Sequence, residues 1–259
     1  MRLWKTLPEW QEQRRRLAGK RIGFVPTMGA LHRGHGSLVE RCRRENDIVV
    51  VSIFVNPSQF NEPKDLERYP RTLDQDLALL RQLETDEVLL PSAKELYPNG
   101  YQLRLEPSAE FTVMEGKFRP GFLQGVLTIV LKLFHLVLPD RAYFGEKDYQ
   151  QLKAIADMVQ ELFLPIEVVA CETVREESGL AQSSRNMLLS AEARTQAAAL
   201  FRSLTTCASA TEARADLEKQ GFAVEYVEEH WGRRFVAAFL EGVRLIDNVA
   251  IPALGSETI

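Results

Sequence analysis

Cysteine is scarce in this chain. Cys42, Cys171 and Cys207 are the only three in 259 residues. An odd, widely spaced set with no CxxC step excludes a disulfide framework and argues against a cysteine-built zinc site. It fits a reducing, cytoplasmic setting. Long apolar runs are also missing. The longest, Val126 to Leu138, is interrupted by Lys132 and His135 and is too short to cross a bilayer, so it reads as a buried helix. The first twenty residues carry Arg14, Arg15 and Arg16 with no apolar segment beside them, so no targeting sequence and no membrane partner are expected. Excess positive charge is absent too: 32 Lys and Arg face 36 Asp and Glu, a net charge of −4, which argues against a nucleic-acid partner. Histidine numbers only four, yet His32 and His35 stand three residues apart.

What is present is ordinary for a globular chain. Hydrophobic residues make up 45% and charged residues 26%, enough apolar material for a sizeable core. Ile22 to Pro26 and Ile48 to Val55 are short, nearly unbroken apolar runs, as in strands covered on both faces of a parallel sheet. Between them lie a Gly-containing loop and a helical stretch, Gly34 to Asn46, which together make a βαβ unit. The alternation continues: helix at 72–83, strand at 87–90, helix at 125–137, strand at 142–144, helix at 147–162 and strand at 166–171. This order predicts an α/β fold with a doubly wound parallel sheet. After Thr173 the character changes to a polar stretch, an Ala-rich helix over 191–210, a second over 211–219, and strand-like runs at 223–228 and 234–240. Residues 1–173 therefore read as the main domain, and residues 174–259 as a smaller α+β domain closing over the active site.

Four segments carry candidate chemistry. Met28-Gly29-Ala30-Leu31-His32-Arg33-Gly34-His35 follows the first strand and enters a helix, where N–H groups and the positive dipole end suit phosphate. Its two imidazoles are spaced to face one ligand and to stabilise charge on departing pyrophosphate; a tight turn with incidental histidines is the plainer reading. Asn56 and Gln59 lie beyond the second strand, where ligands of such sheets bind, and offer neutral donors and acceptors for a small hydroxy acid. An Asx-Pro turn explains them equally well. In Gly145-Glu146-Lys147-Asp148, Lys147 suits phosphate, while Asp148 suits ribose or an N-cap. Gln182-Ser183-Ser184-Arg185 offers hydroxyls and a guanidinium to phosphate oxygens, though it also describes a solvated loop.

In family order, these segments together with Tyr69-Pro70-Arg71-Thr72-Leu73 and Arg244-Leu245-Ile246-Asp247-Asn248 resemble pantothenate synthetase. The resemblance spans roughly residues 20 to 190. It implies a Rossmann-like nucleotidyltransferase fold in which His32 to His35 is the HxGH signature. It also implies an AMP-forming ligase that joins pantoate to β-alanine through pantoyl adenylate, with ATP and Mg²⁺, in a cytoplasmic homodimer. By the same resemblance His35, His32 and Lys147 are the catalytic groups. Met28 to His35, Gly145 to Asp148, Val174 and Gln182 to Arg185 hold ATP. Gln59, Gln151, Asn56 and Met28 hold pantoate, and Asp74 or Asp76 lies near the metal, whose ligands are otherwise unassigned. The chain departs from the family pattern at Phe122, where similar enzymes usually have His, at Ser178, where many have Asp, and at Gly36, where a larger apolar residue is common. Its tail is expected to be short. A nucleotidylyltransferase acting on another small substrate is the alternative reading, as is a catalytically impaired nucleotide-binding relative.

Overall fold

The computed structural model describes residues 1–61 and 63–251; the last residues of the expected second domain, 252–259, lie outside the described residues. The chain forms two compact units. One comprises Met1–Glu146 and Gln150–Glu172, the other Lys147–Tyr149 and the chain from Thr173 onward. Lys147–Tyr149, placed by sequence in the main domain, thus groups with the smaller unit.

The larger unit is built on six parallel strands: β1 (Arg2–Trp4), β2 (Ile22–Thr27), β3 (Ile48–Ile53), β4 (Glu87–Leu89), β5 (Arg141–Gly145) and β6 (Glu167–Cys171), in the order β1-β4-β3-β2-β5-β6. Strands β2 and β3 are buried almost throughout, which is why their sequences are apolar without alternation. The strand order reverses between β2 and β5. Helices Arg33–Glu45, Leu73–Gln82, Phe122–Val137 and Tyr149–Glu161 fall where the periodicity predicts them. The third of these starts three residues early, at Phe122, because left-handed Gly121 (φ +83°) turns the chain into it.

Pro26 has a consequence for the site. Strand β2 pairs with β3 along its whole length but with β5 only at Gly23 and Phe24. Pro26 offers no N–H, so it sits where the ladder to β5 has already parted. The carboxyl end of β2 is therefore open at the reversal of strand order, where doubly wound sheets bind ligands.

Strand β1 is absent from the sequence expectation, since only three residues carry it. It is recruited by the fully buried Glu87 carboxylate, which accepts from Arg2 (2.5 Å), Trp4 Nε1 (2.7 Å) and Gln13 (2.9 Å).

The smaller unit carries helices Ala191–Ala197, Ala199–Thr206 and Ala210–Lys219 and an antiparallel sheet of β7 (Ala223–His230), β8 (Arg233–Leu240) and β9 (Val243–Ala250). The single helix expected over 191–210 ends early, because Cys207 turns extended and Ser209 caps the next helix. Strand β9 has no counterpart in the sequence expectation. Both hairpins turn on two left-handed residues, Trp231-Gly232 and Glu241-Gly242, the geometry that matches strand twist. Leu200, Leu204, Leu217, Phe222 and Val236 fill the core between helices and sheet.

Candidate active site

The loop after β2 is shaped by two consecutive left-handed residues, Gly29 (φ +79°) and Ala30 (φ +50°). A side chain at Gly29 would meet Asp76 at 3.0 Å and Ile53 at 3.1 Å, so glycine is required for space as well as for conformation. Asp76 holds the strained turn. Its buried carboxylate accepts from the backbone N–H groups of Ala30 (3.0 Å) and Leu31 (2.8 Å) and from the Thr72 hydroxyl (3.0 Å). Thr27 ties the loop to the neighbouring strand, donating to the Ser52 carbonyl (2.8 Å) and accepting from Gly29 N–H (3.2 Å).

The Arg33–Glu45 helix begins with an unusual cap. His32 is the N-cap, and its Nδ1 accepts from Gly34 N–H at 3.1 Å. His35 Nδ1 accepts in turn from His32 N–H at 3.4 Å, completing a capping box of two imidazoles. An Nδ1 that accepts is unprotonated, so each neutral ring carries its proton on Nε2. The ring centroids are 4.1 Å apart. The N–H groups of Ala30, Leu31, His32 and Gly34 are each committed within the protein. Both Asp76 oxygens are bonded within this region, so the carboxylate serves as a clamp on the loop. Asp74 is exposed.

The loop after β3 is equally determined. Buried Asn56 donates to Gln59 Oε1 (3.0 Å) and to the Gly125 carbonyl (3.2 Å). It accepts from the Ser58 hydroxyl (2.9 Å) and the Tyr97 hydroxyl (2.9 Å). Burial raises the Tyr97 phenol above its ordinary pKa, which keeps it a donor. Asn56, expected to touch substrate, thus spends its amide on orienting Gln59. The Gln59 Nε2 lies 3.1 Å from Met28 Sδ, so two predicted substrate residues from different loops meet. A side chain at Gly125 would lie 2.5 Å from the Ser58 carbonyl; only glycine lets this loop sit on the Phe122–Val137 helix. Arg119 holds the other side, donating to the Gln59 carbonyl (3.3 Å) and pairing with Glu115 (3.0 Å). Its guanidinium lies 3.7 Å from the Phe122 ring centroid. At the position where similar enzymes usually have His, Phe122 therefore supplies an aromatic face to a cation.

The adjacent glutamines divide the work. Buried Gln150 bonds the backbone of Phe111, Val113 and Glu115 and is structural. Gln151, the predicted substrate residue, is half-exposed. Gly145 ends β5 and Glu146 begins the 3-10 turn that follows, both in the same unit.

The remaining predicted nucleotide residues belong to the smaller unit. Lys147 Nζ lies 3.9 Å from Asp148. Gln182 N–H bonds the Val174 carbonyl (2.9 Å), Ser183 caps the turn that holds Ser184 and Arg185, and Asn186 bonds the Ala181 carbonyl (3.0 Å). Among the described residues no group of three or more His, Cys, Asp and Glu is placed to hold a metal ion. Nor, among the described residues, is any helix long and apolar enough to cross a membrane. Sequence reasoning missed Asp76 as a clamp, Arg119 and Tyr97; Asp76 lies just past one family-like stretch and Arg119 beside Phe122 in another, but nothing in either reveals their partners.

Comparison with known proteins bears on this geometry. Residues 2–250 match the family model for pantoate-beta-alanine ligase. A pantothenate synthetase of Bdellovibrio bacteriovorus is 51% identical over 94% of this chain and 96% of its own length. One from Legionella pneumophila is 48% identical over 96% of this chain and 99% of its own. Among solved structures, the pantoate-beta-alanine ligase of Francisella tularensis complexed with beta-gamma ATP and beta-alanine superposes with a TM-score of 0.93 at 40% identity, covering 96% of this chain and 97% of that one. The pantothenate synthetase of Thermus thermophilus does so with a TM-score of 0.88 at 44% identity, covering 97% of this chain and 100% of that one.

Proposed function

The chain belongs to the pantoate–β-alanine ligase family, and from that premise we propose how its own residues carry out the ATP-dependent condensation of pantoate with β-alanine. A carboxylate does not condense with an amine in neutral water without activation. A pantoate carboxylate oxygen attacks the α-phosphorus of ATP; the bond to the bridging oxygen breaks, and pyrophosphate leaves with that electron pair. The β-alanine amine then attacks the carbonyl of pantoyl adenylate, loses a proton, and AMP departs as pantothenate forms. The protein's task is positioning and stabilisation of developing negative charge.

The observation that carries this reading is the two-imidazole capping box. It sets both rings in one tautomer at the open end of β2, so His32 and His35 act as Nε2–H donors to phosphate oxygens with no reorganisation during the step. Lys147 adds a positive charge on the phosphates. Gln59, oriented by Asn56, and Gln151 bind pantoate beside Met28. Met28 to His35 and Gly145 to Asp148 surround the nucleotide, Val174 lies on its adenine side, and Gln182 to Arg185 contact phosphate. No all-protein cage for a metal is seen among the described residues; Mg²⁺ would be held chiefly through the ATP phosphates and would supply neutralisation of their charge. The enzyme works as a cytoplasmic homodimer. The Francisella relative was crystallised with an ATP analogue and β-alanine, two of the three substrates proposed for this chain. A nucleotidylyltransferase reading is not favoured, since the relatives over nearly the whole chain are ligases.

The test is release of AMP and pyrophosphate by purified protein given ATP, Mg²⁺ and pantoate, with and without β-alanine. AMP formed in step with pantothenate, only when both acids are present, is the expected result. ATP binding without turnover contradicts it.

A further inference from the structure

The stretch Arg244 to Asn248 looks like its family counterpart but has no part in the reaction as described. Its placement gives it one. Asn248 is 1% exposed and lies on β9. Its Nδ2 donates to the backbone carbonyl of Lys147 at 2.9 Å. Its Oδ1 accepts from Arg233 Nε at 2.5 Å. The same Arg233 lays its guanidinium 4.5 Å from the Tyr149 ring centroid, and that ring packs against Phe235 at 6.1 Å. Asn248 is itself held: its N–H donates to Asp247 Oδ1 (2.8 Å), and buried Asp247 receives Arg175 through two bonds of 2.6 and 2.9 Å. The arginine of that pair stacks on Phe201 at 3.9 Å. Each of these groups is in the smaller unit, to which Lys147–Tyr149 also belong.

We propose that Asn248, braced by Arg233 and by the Asp247–Arg175 pair, is the positioning residue for Lys147. A lysine on four methylenes is a mobile point charge, and its usefulness to a pentacoordinate phosphate depends on where its backbone starts. Fixing the carbonyl from below and the next-but-one ring from the side sets that starting point. A displacement of about 1 Å in a group of this kind costs up to about 100-fold in rate. The inference rests on the phosphate role proposed for Lys147.

The test is a double-mutant cycle on single-turnover pantoyl-adenylate formation, with Asn248→Asp and Lys147→Ala made singly and together. Asn248→Asp keeps the acceptor for Arg233 and replaces the donor to Lys147 with a charged acceptor oxygen that faces its carbonyl. It is expected to slow adenylation about 10- to 100-fold with the pantoate KM unchanged, and to add nothing when Lys147 is already alanine. Arg233→Lys, which leaves Asn248 in place, is the second variant should Asn248→Asp fail to fold; it is expected to give a smaller loss in the same rate, again absent in the Lys147→Ala background. Losses that multiply in the double variant, alongside a slow Lys147→Ala enzyme, overturn the positioning role alone. A Lys147→Ala enzyme of near-normal rate overturns the role of Lys147 and this inference with it.

Discussion

At the scale of single residues, the account turns on what each polar atom is bonded to. His35 has its Nδ1 committed to the helix cap, and the role proposed for it is donation from Nε2. Replacing His35 with alanine is expected to slow adenylation by about 10²–10³, the scale of one lost transition-state donor; single-turnover rates check this, and near-normal turnover contradicts it. Asp76 acts at one remove. In Asp76→Asn one acceptor oxygen becomes an NH₂ facing the N–H of Ala30 or Leu31. The loss of a charged hydrogen bond in a buried setting is about 1.5–3 kcal/mol. Lower stability in urea together with slower adenylation is expected, whereas a full-rate enzyme would show that the loop geometry does not depend on the clamp. Phe122 permits a sharper statement. Its contact is with the Arg119 guanidinium, worth about 0.5–2 kcal/mol, and a neutral imidazole keeps a flat ring there, so Phe122→His should change kcat/KM for pantoate only modestly, by less than about tenfold. A large gain on restoring histidine would show instead that the ring makes a polar contact to substrate.

At the scale of elements, the central strands and their helices were legible because burial on both faces and helical spacing leave strong patterns. The Ile48–Ile53 strand and the Leu73–Gln82 helix are examples. Strand β1 was illegible because a distant carboxylate, Glu87, recruits it. Strand β9 was illegible because the Glu241-Gly242 turn that leads into it lacks the Asn-Gly or Asp-Gly signal of a hairpin. The motif positions of the site were legible, but their division into donors and supports was not. Nothing in the order Asn56, Ser58, Gln59 reveals that Asn56 is spent on orienting its neighbour. The helix that starts at Arg33 offers a test of local energetics. Gly36 has room for a methyl group, whose nearest neighbour would be Leu83 at 3.7 Å, an ordinary contact. Gly36→Ala is expected to raise stability by about 1 kcal/mol with activity unchanged. A destabilised variant in urea unfolding would mean that the helix start tolerates no added side chain.

At the scale of the whole molecule, the chemistry assigned to the chain requires adenylate formation to be a separate, reversible step that precedes β-alanine. Pantoate and ATP binding should together raise the melting temperature, since ligands that bind only the folded state stabilise it by mass action, about 2.7 kcal/mol at a hundred times Kd. The most direct measurement is the exchange of labelled pyrophosphate into ATP, run with pantoate and Mg²⁺ and without β-alanine. Exchange that requires pantoate, needs no β-alanine, and falls by two orders of magnitude or more in His35→Ala is what the structure predicts. Exchange that is absent until β-alanine is added, or that proceeds without pantoate, would contradict a pantoyl adenylate formed at the two-histidine cap.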